Sequence, residues 1–156
     1  MSLEFAYLAD HPDQVPTVIA WWQTVWADRM GETAQAEQIL RDSLSKGALP
    51  VHVLALLDGK PVGTAALKNQ ELAELYPTYK YWLGSVYVDE AYRGDKIASA
   101  LTEHIAELAQ QRHLPHLYLQ TINLGGGLYA ELGWQALEEF ESHGERSLLM
   151  MRKFSN

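Results

Sequence analysis

The stretch from Trp82 to Thr121 constrains the fold of this chain more than any other. Trp82–Val88 reads as a strand, a turn carrying Arg93 and Gly94 follows, and a helix begins at about Lys96 and runs to Gln111. The apolar face of that helix is Ile97, Leu101, Ile105 and Leu108, each three or four residues from the next. Leu117–Thr121 is a second strand. A strand, a crossing helix and another strand predict locally parallel pairing inside a mixed sheet, because parallel neighbours need a long connection.

The flanks add elements of both kinds. Leu3–Leu8 suits a short strand. Asp13 is placed to cap a helix in which Val18, Ile19, Trp22, Val25 and Trp26 share one face, ending near Gly31. Thr33 opens a second helix with Ala36, Ile39, Leu40 and Leu44 on its apolar side, running to Gly47. Val51–Leu57 and Val62–Leu67 form a hairpin around the tight-turn pair Asp58-Gly59, with Pro61 at the entry of the second strand. Lys68–Tyr81 has no period and reads as a loop with one helical turn at most. After the glycines at 125, 126 and 127, Leu128–Leu132 is a short helix stopped by Gly133. Trp134–Glu139 and Ser147–Met151 finish as strands around a turn at Ser142–Glu145. The predicted order is β-α-α-β-β-β-α-β-α-β-β.

Composition narrows the class. With 156 residues, one compact domain spanning 1–156 is expected, and 47 % hydrophobic residues without excess Gly or Pro exclude a disordered or fibrous chain. The absence of cysteine removes disulfides, thiolate zinc sites and a cysteine nucleophile, and is compatible with a reducing compartment. A net charge of −8 gives no electrostatic reason to hold nucleic acid or an anionic membrane surface, and would draw a cationic acceptor. No apolar run approaches the roughly 20 residues of a membrane span. Met1-Ser2-Leu3-Glu4-Phe5 lacks the basic-then-apolar pattern of a secretory signal, so a cytoplasmic location is expected.

The chemistry concentrates in Val86–Leu101. A strand end, a turn with a basic residue and a glycine, and an immediate helix make an anion cradle, since the first helical N–H groups lack partners and the helix dipole adds positive charge. Arg93 can supply charge-assisted bonds to phosphate, and Gly94 and Ala98 keep side chains out of the way. An ordinary turn capped by Asp95 reads equally well from physics alone.

Arg93-Gly94-Asp95-Lys96-Ile97-Ala98, preceded by Val86-Tyr87-Val88, resembles the acyl-CoA signature of the GNAT superfamily of N-acyltransferases: Arg or Gln, two residues, Gly, one residue, Gly or Ala. Further on, Leu128-Tyr129-Ala130-Glu131-Leu132-Gly133-Trp134 is similar to the family's Leu-Tyr-x-x-Leu-Gly-Phe. Two motifs in order are more specific than either alone, and the likeness spans about residues 82–137. It implies an α/β (α+β) fold in a single GNAT-like domain, with a mixed central sheet of about six to seven strands and about four helices. It also implies acetyl-CoA as co-substrate, no metal, and an amine acceptor, either a small molecule or a peptide.

By that resemblance, the backbone of Val86, Tyr87 and Val88 pairs with the pantetheine arm, and the N–H groups of Arg93, Gly94, Asp95, Lys96, Ile97 and Ala98 hold the pyrophosphate. A backbone N–H near Val86 stabilises the oxyanion. Asn123 stands near the family's pantetheine-binding asparagine, one residue closer to the tyrosine than usual; a polar strand end is its other reading. Tyr129 occupies the place of the acid that serves the leaving thiolate. Two positions depart from the pattern. Lys96 replaces the usual Gly, where helical dihedrals are expected to leave the backbone undisturbed. Asp95 puts a carboxylate beside the pyrophosphate site unless it turns to solvent. The general base is not identified; Glu71, Glu74, Asp28 and Ser85 are candidates by location. Asp95, Lys96 and the missing base keep open a non-catalytic alternative, an acyl-CoA-binding sensor. A nucleotide-binding transferase is disfavoured because neither GxxxxGK[ST] nor GxGxxG occurs.

Other residues carry weaker expectations. His113 and His116 flank Pro115 without a third ligand at metal spacing, so they read as surface loop. His104 lies off its helix's apolar stripe and is expected in solvent, while His52 lines or packs on the sheet. Trp22 and Trp26 are expected in the core. Trp21 is left to wall an acceptor pocket or form a homodimer surface. In the family, the loop between the first two helices, here Asp28–Glu32, and the loop before the signature strand shape the acceptor site. The tyrosines and glutamates of Lys68–Tyr81 would suit an amine with some apolar body, or a solvated loop.

Overall fold

The computed structural model describes residues 2–154; Met1 and residues 155–156 lie outside it. The strands are β1 (Leu3–Tyr7), β2 (Val51–Leu57), β3 (Lys60–Lys68), β4 (Trp82–Val88), β5 (His116–Thr121), β6 (Gln135–Ser142) and β7 (Glu145–Lys153). The α-helices are α1 (Val15–Met30), α2 (Thr33–Asp42), α3 (Ile97–Gln111) and α4 (Gly127–Glu131). The strands form one seven-stranded sheet in the order β1-β2-β3-β4-β5-β7-β6. Every neighbouring pair is antiparallel except β4 and β5, the pair bridged by α3. The mixed sheet with four helices is the fold expected from sequence.

Local chemistry explains the joints. Asp58 and Gly59 both adopt left-handed backbone (φ 51° and 82°), as the two-residue turn of the β2–β3 hairpin demands, and His143-Gly144 repeats this between β6 and β7 (φ 53° and 80°). Alternation then sorts the faces of β2. Val51, Val53 and Ala55 join α3's Leu101 and Ile105 in the main core, and Leu54 faces α1 on the opposite side. Leu101 and Ile105 are fully buried, each contributing roughly 1.5–3 kcal/mol, and Leu101→Ala would cost about 2–5 kcal/mol.

Several expectations need correction. Asp13 caps nothing: residues 12–14 form a short 3-10 turn and α1 starts at Val15 with Gln14 before it. The tryptophans of α1 exchange roles. Trp21 is buried against Tyr87 (ring centroids 6.0 Å), Trp22 is half-buried and lines a cavity, and Val25 is 51 % exposed. The physical reason is that α1 crosses β4 where Tyr87 points toward it, and that α1 kinks at Trp26, which is only partly buried. Helix α2 stops at Asp42 rather than Gly47, because the Ser43 hydroxyl donates to the Leu40 carbonyl and the Ser45 hydroxyl accepts from the Gly47 and Ala48 N–H groups. His104 is not solvated: it stacks on Phe5 with centroids 4.3 Å apart, and burial lowers its pKa.

The loop after β3 is anchored rather than solvated. Tyr76, Tyr79, Trp82 and Tyr118 form an aromatic cluster with Phe140, with Tyr76–Tyr79 and Tyr79–Tyr118 centroids 5.1 and 4.8 Å apart. Tyr76 donates to Glu138 (2.7 Å), and burial followed by that carboxylate holds its hydroxyl proton on. Within the loop, the Gln70 side chain accepts from the Glu71 and Leu72 N–H groups (2.8 and 3.0 Å) and donates to the Tyr76 carbonyl (3.1 Å).

Candidate active site

The parallel pair at the centre of the sheet does not stay paired. β4 and β5 meet at Trp82 and Tyr118 and then diverge, leaving a wedge between them. A bulge marks the divergence. Against β3, Ala66 pairs with Gly84 and Thr64 with Tyr87, so β4 carries one extra residue there, and Ser85 takes a left-handed backbone (φ 55°). The extra residue inverts the alternation. Past the bulge, Val86 and Val88 pack on the α3 side and Tyr87 turns toward α1, where its hydroxyl bonds with Thr24 (2.9 Å). Of Tyr87, then, the backbone but not the ring is positioned to face the wedge.

At the mouth of the wedge stands the loop before α3. Gly94 (φ 93°) and Lys96 (φ 63°) are both left-handed, and α3 begins at Ile97 with no side chain capping its N-terminus. The helical dihedrals expected for Lys96 are therefore incorrect. The position needs the conformation glycine adopts freely, and lysine holds it at roughly 1–2 kcal/mol of strain. Arg93 folds back, its Nε donating to the Val88 carbonyl (3.0 Å) and its guanidinium lying 5.1 Å from the Tyr87 ring centroid. A cavity of about 320 Å³ opens here, lined by Val88, Arg93, Gly94, Lys96, Ile97 and Ala98 together with Leu128. Asp95 is exposed and is absent from this lining, so its carboxylate turns to solvent. Uncapped helical N–H groups, a guanidinium and an ammonium around an apolar-walled cavity fit a pyrophosphate on an organic chain. Asn123 sits at the far side, its side-chain carbonyl accepting from the Gly125 N–H (3.1 Å) in a local turn.

Two titratable groups stand at the wedge within electrostatic reach of each other. Glu71 accepts from the Gln120 amide on β5 (2.8 Å), and its other oxygen has no hydrogen-bond partner among the described residues, with the Lys68 ammonium 3.5 Å away. That carboxylate rests on the bare Cα of Gly84, where a Cβ would overlap it. Tyr129, on α4, has its pKa raised first by burial and then by the charge of Glu71. Its ring meets Trp134 edge-on at 6.3 Å. The sequence offered four candidates for the base. The structure brings Glu71 to the wedge, leaves Glu74 and Asp28 exposed, and puts Ser85 in the bulge. Gln120 and Gln70, which hold Glu71, were not among the residues singled out; their roles depend on strand partners remote in sequence.

On the α1–α2 side of β2–β4 lies a second cavity of about 570 Å³, with Trp22, Ile39, Leu40, His52, Lys68 and Ser85 on its walls. His52 is 6 % exposed, its Nδ1 is unpartnered among the described residues, and burial followed by Lys68 pushes its pKa down to about 4. His116, by contrast, rests near the surface with Nε2 3.0 Å from the Lys80 carbonyl.

The sheet is thus mixed and parted at its centre, with an N–H-rich loop at the mouth of the parting, an arrangement that suits an acyl-group transferase. The model of the acetyltransferase (GNAT) family matches residues 15–134, and this chain belongs to that family. No curated protein sequence matched. Among solved structures, the chain is similar to an aminoglycoside 6'-acetyltransferase type Ii (TM-score 0.74, 14 % identity, 98 % of this chain and 97 % of that one). It is also similar to a PaiA N-acetyltransferase from Thermoplasma acidophilum in complex with coenzyme A (TM-score 0.72, 18 % identity, 99 % and 100 % covered). A third is a ribosomal-protein-alanine N-acetyltransferase from Brucella melitensis (TM-score 0.74, 18 % identity, 99 % and 100 % covered). At these identities the likeness is one of fold.

Proposed function

We propose that the protein transfers the acetyl group of acetyl-CoA to the nitrogen of a primary amine of a small molecule or peptide, within one catalytic domain. The observation that carries this reading is the β4–β5 wedge, where Glu71 is tied to Gln120 and its charge reaches Tyr129. Acetyl-CoA brings the thioester carbonyl and the thiolate leaving group; the chain's residues do the rest.

The backbone of Val86, Tyr87 and Val88 lies along the wedge to receive an extended pantetheine arm, with Asn123 opposite. Arg93, Gly94, Lys96, Ile97 and Ala98 hold the pyrophosphate, Asp95 offering only its backbone. The amine enters in its neutral form beside the Glu71 carboxylate that covers Gly84, and Glu71 takes the proton its nitrogen sheds as the C–N bond forms. As the C–N bond forms and the C–S bond breaks, a backbone N–H near Val86 steadies the oxyanion and the Tyr129 hydroxyl donates to the developing thiolate. Return of the Glu71 proton to Tyr129 by way of solvent closes the cycle, and the net result is one proton moved from nitrogen to sulfur. The sensor alternative rested partly on a missing base, a role for which Glu71 is the proposed residue. A cytoplasmic location accords with this chemistry, and no helix among the described residues is long and apolar enough to cross a membrane.

Acetyl-CoA at millimolar concentration is expected to raise the melting temperature, since a ligand of the native state stabilises by mass action. Glu71→Gln should keep that shift while amine-dependent thiol release falls about 100-fold. An unchanged melting temperature sinks the proposal.

A further inference from the structure

The cavity on the α1–α2 face is not needed to hold acetyl-CoA, and its floor is laid out by strand register. His52 of β2 pairs with Ala66 of β3, and Ala66 pairs with Gly84 of β4. The three therefore form one row across the sheet, on the face where Glu71 sits. Neighbouring strands are about 4.8 Å apart, so His52 lies about 10 Å from Gly84. Between them the row carries only the methyl of Ala66, which makes a trough.

The trough has an apolar roof and a polar end. Trp22, Ile39 and Leu40 cover it. At the His52 end, the buried Nδ1 of His52 and the buried Nε1 of Trp22 both lack a hydrogen-bond partner among the described residues, with the two rings 5.7 Å apart. Buried polar atoms left unpaired are costly, and two together on a cavity wall point to a ligand atom that pairs with them. The low pKa of His52 keeps the ring neutral, so it suits a neutral partner. At the other end, Ser85 and Lys68 on the cavity wall adjoin Gly84 and Glu71. No carboxylate occurs among the described residues lining the cavity, and Lys68 is there, which disfavours a second cationic group despite the net charge of −8.

Building on the transferase reading, we infer that the acceptor is a primary amine on an apolar, preferably aromatic, body that ends in a neutral hydroxyl. The nitrogen lies at the Ser85–Lys68 end beside the Glu71 carboxylate that covers Gly84, the body over Ala66 beneath Trp22 and Leu40, and the hydroxyl between His52 and Trp22. The polyamines and other polycations that the acidic surface attracts are not accommodated.

Calorimetric titration of the intact protein with tyramine, phenethylamine and spermidine, with and without coenzyme A, tests this directly. Tyramine is expected to bind about tenfold more tightly than phenethylamine, the usual worth of a hydrogen bond to an otherwise unpaired buried group. Spermidine should bind weakest. The tyramine-to-phenethylamine ratio should fall toward one in His52→Phe and, independently, in Trp22→Phe; because it is a ratio, partial loss of folded protein does not disturb it. Equal affinities for the two aromatic amines, preference for spermidine, or a ratio unchanged in both variants overturns the inference while leaving acetyl-CoA binding intact. An acetyl-CoA-insensitive melting temperature is a different failure: it removes the transferase reading, and tyramine then cannot be its acceptor.

Discussion

The carboxylate of Glu71 rests on the bare Cα of Gly84, tied at one oxygen to Gln120 across the parting of β4 and β5. A loop residue thereby becomes part of the sheet's central wedge. The placement depends on glycine, since any side chain at 84 would occupy the volume of the carboxylate.

Gly84→Ala should therefore lower amine-dependent turnover to about the level of Glu71→Gln while reducing stability by about 2 kcal/mol, the usual range for overpacking. Acetyl-CoA should still raise its melting temperature. Thiol-release kinetics beside thermal melts would check this, and wild-type turnover in Gly84→Ala would remove Glu71 from the chemistry.

Tyr129, like any phenol, is protonated at physiological pH, and burial followed by the charge of Glu71 raises its pKa further. Tyr129→Phe should lower kcat about 100-fold with little change in acetyl-CoA affinity, as expected for a donor used in the transition state rather than in binding. Steady-state kinetics with calorimetry of cofactor binding would separate the two.

Lys96 is held left-handed ahead of α3. Lys96→Gly should relieve that strain and, after glycine's extra chain entropy, stabilise the protein by about 0.5–1 kcal/mol. Lys96→Ala keeps the strain and should not stabilise. Chemical denaturation of the two variants would distinguish strain from the loss of the ammonium, which both share.

His52 has its pKa pushed from 6.5 to about 4 by burial, then by Lys68. Between those values the unfolded chain binds the proton and the folded chain does not, so stability should fall as pH drops from about 6.5 toward 4. The full loss is about 3 kcal/mol at 1.4 kcal/mol per pH unit. His104, also lowered by burial, adds in the same direction. Denaturation at several pH values should show a shallower slope in His52→Asn than in the wild type.

The strand-turn-helix at Val86–Leu101, the β2–β3 hairpin and the element order were legible because each rests on short-range chemistry: helical spacing, a left-handed turn pair, glycines at breaks. The short helix that carries Tyr129 was legible through its motif. Lys96 was misread because its conformation is imposed by the loop that carries it, and lysine has no preference for it. The exchange of Trp21 and Trp22 came from the kink at Trp26 and the position of Tyr87, neither visible in the period of α1.

Local periodicity thus marked the elements and their order, and the resemblance of two motifs marked the loop that would hold the cofactor. The place of Glu71 at the wedge and the walls of the far cavity were decided by register and by partners remote in sequence. His52, Ala66 and Gly84 are distant in sequence and become neighbours only when three strands pair, while Glu71 is aimed by an aromatic cluster and two glutamines from other segments. Side chains whose positions depend on such remote pairings leave no periodic trace along the chain, and that is why the tertiary structure was needed to find them.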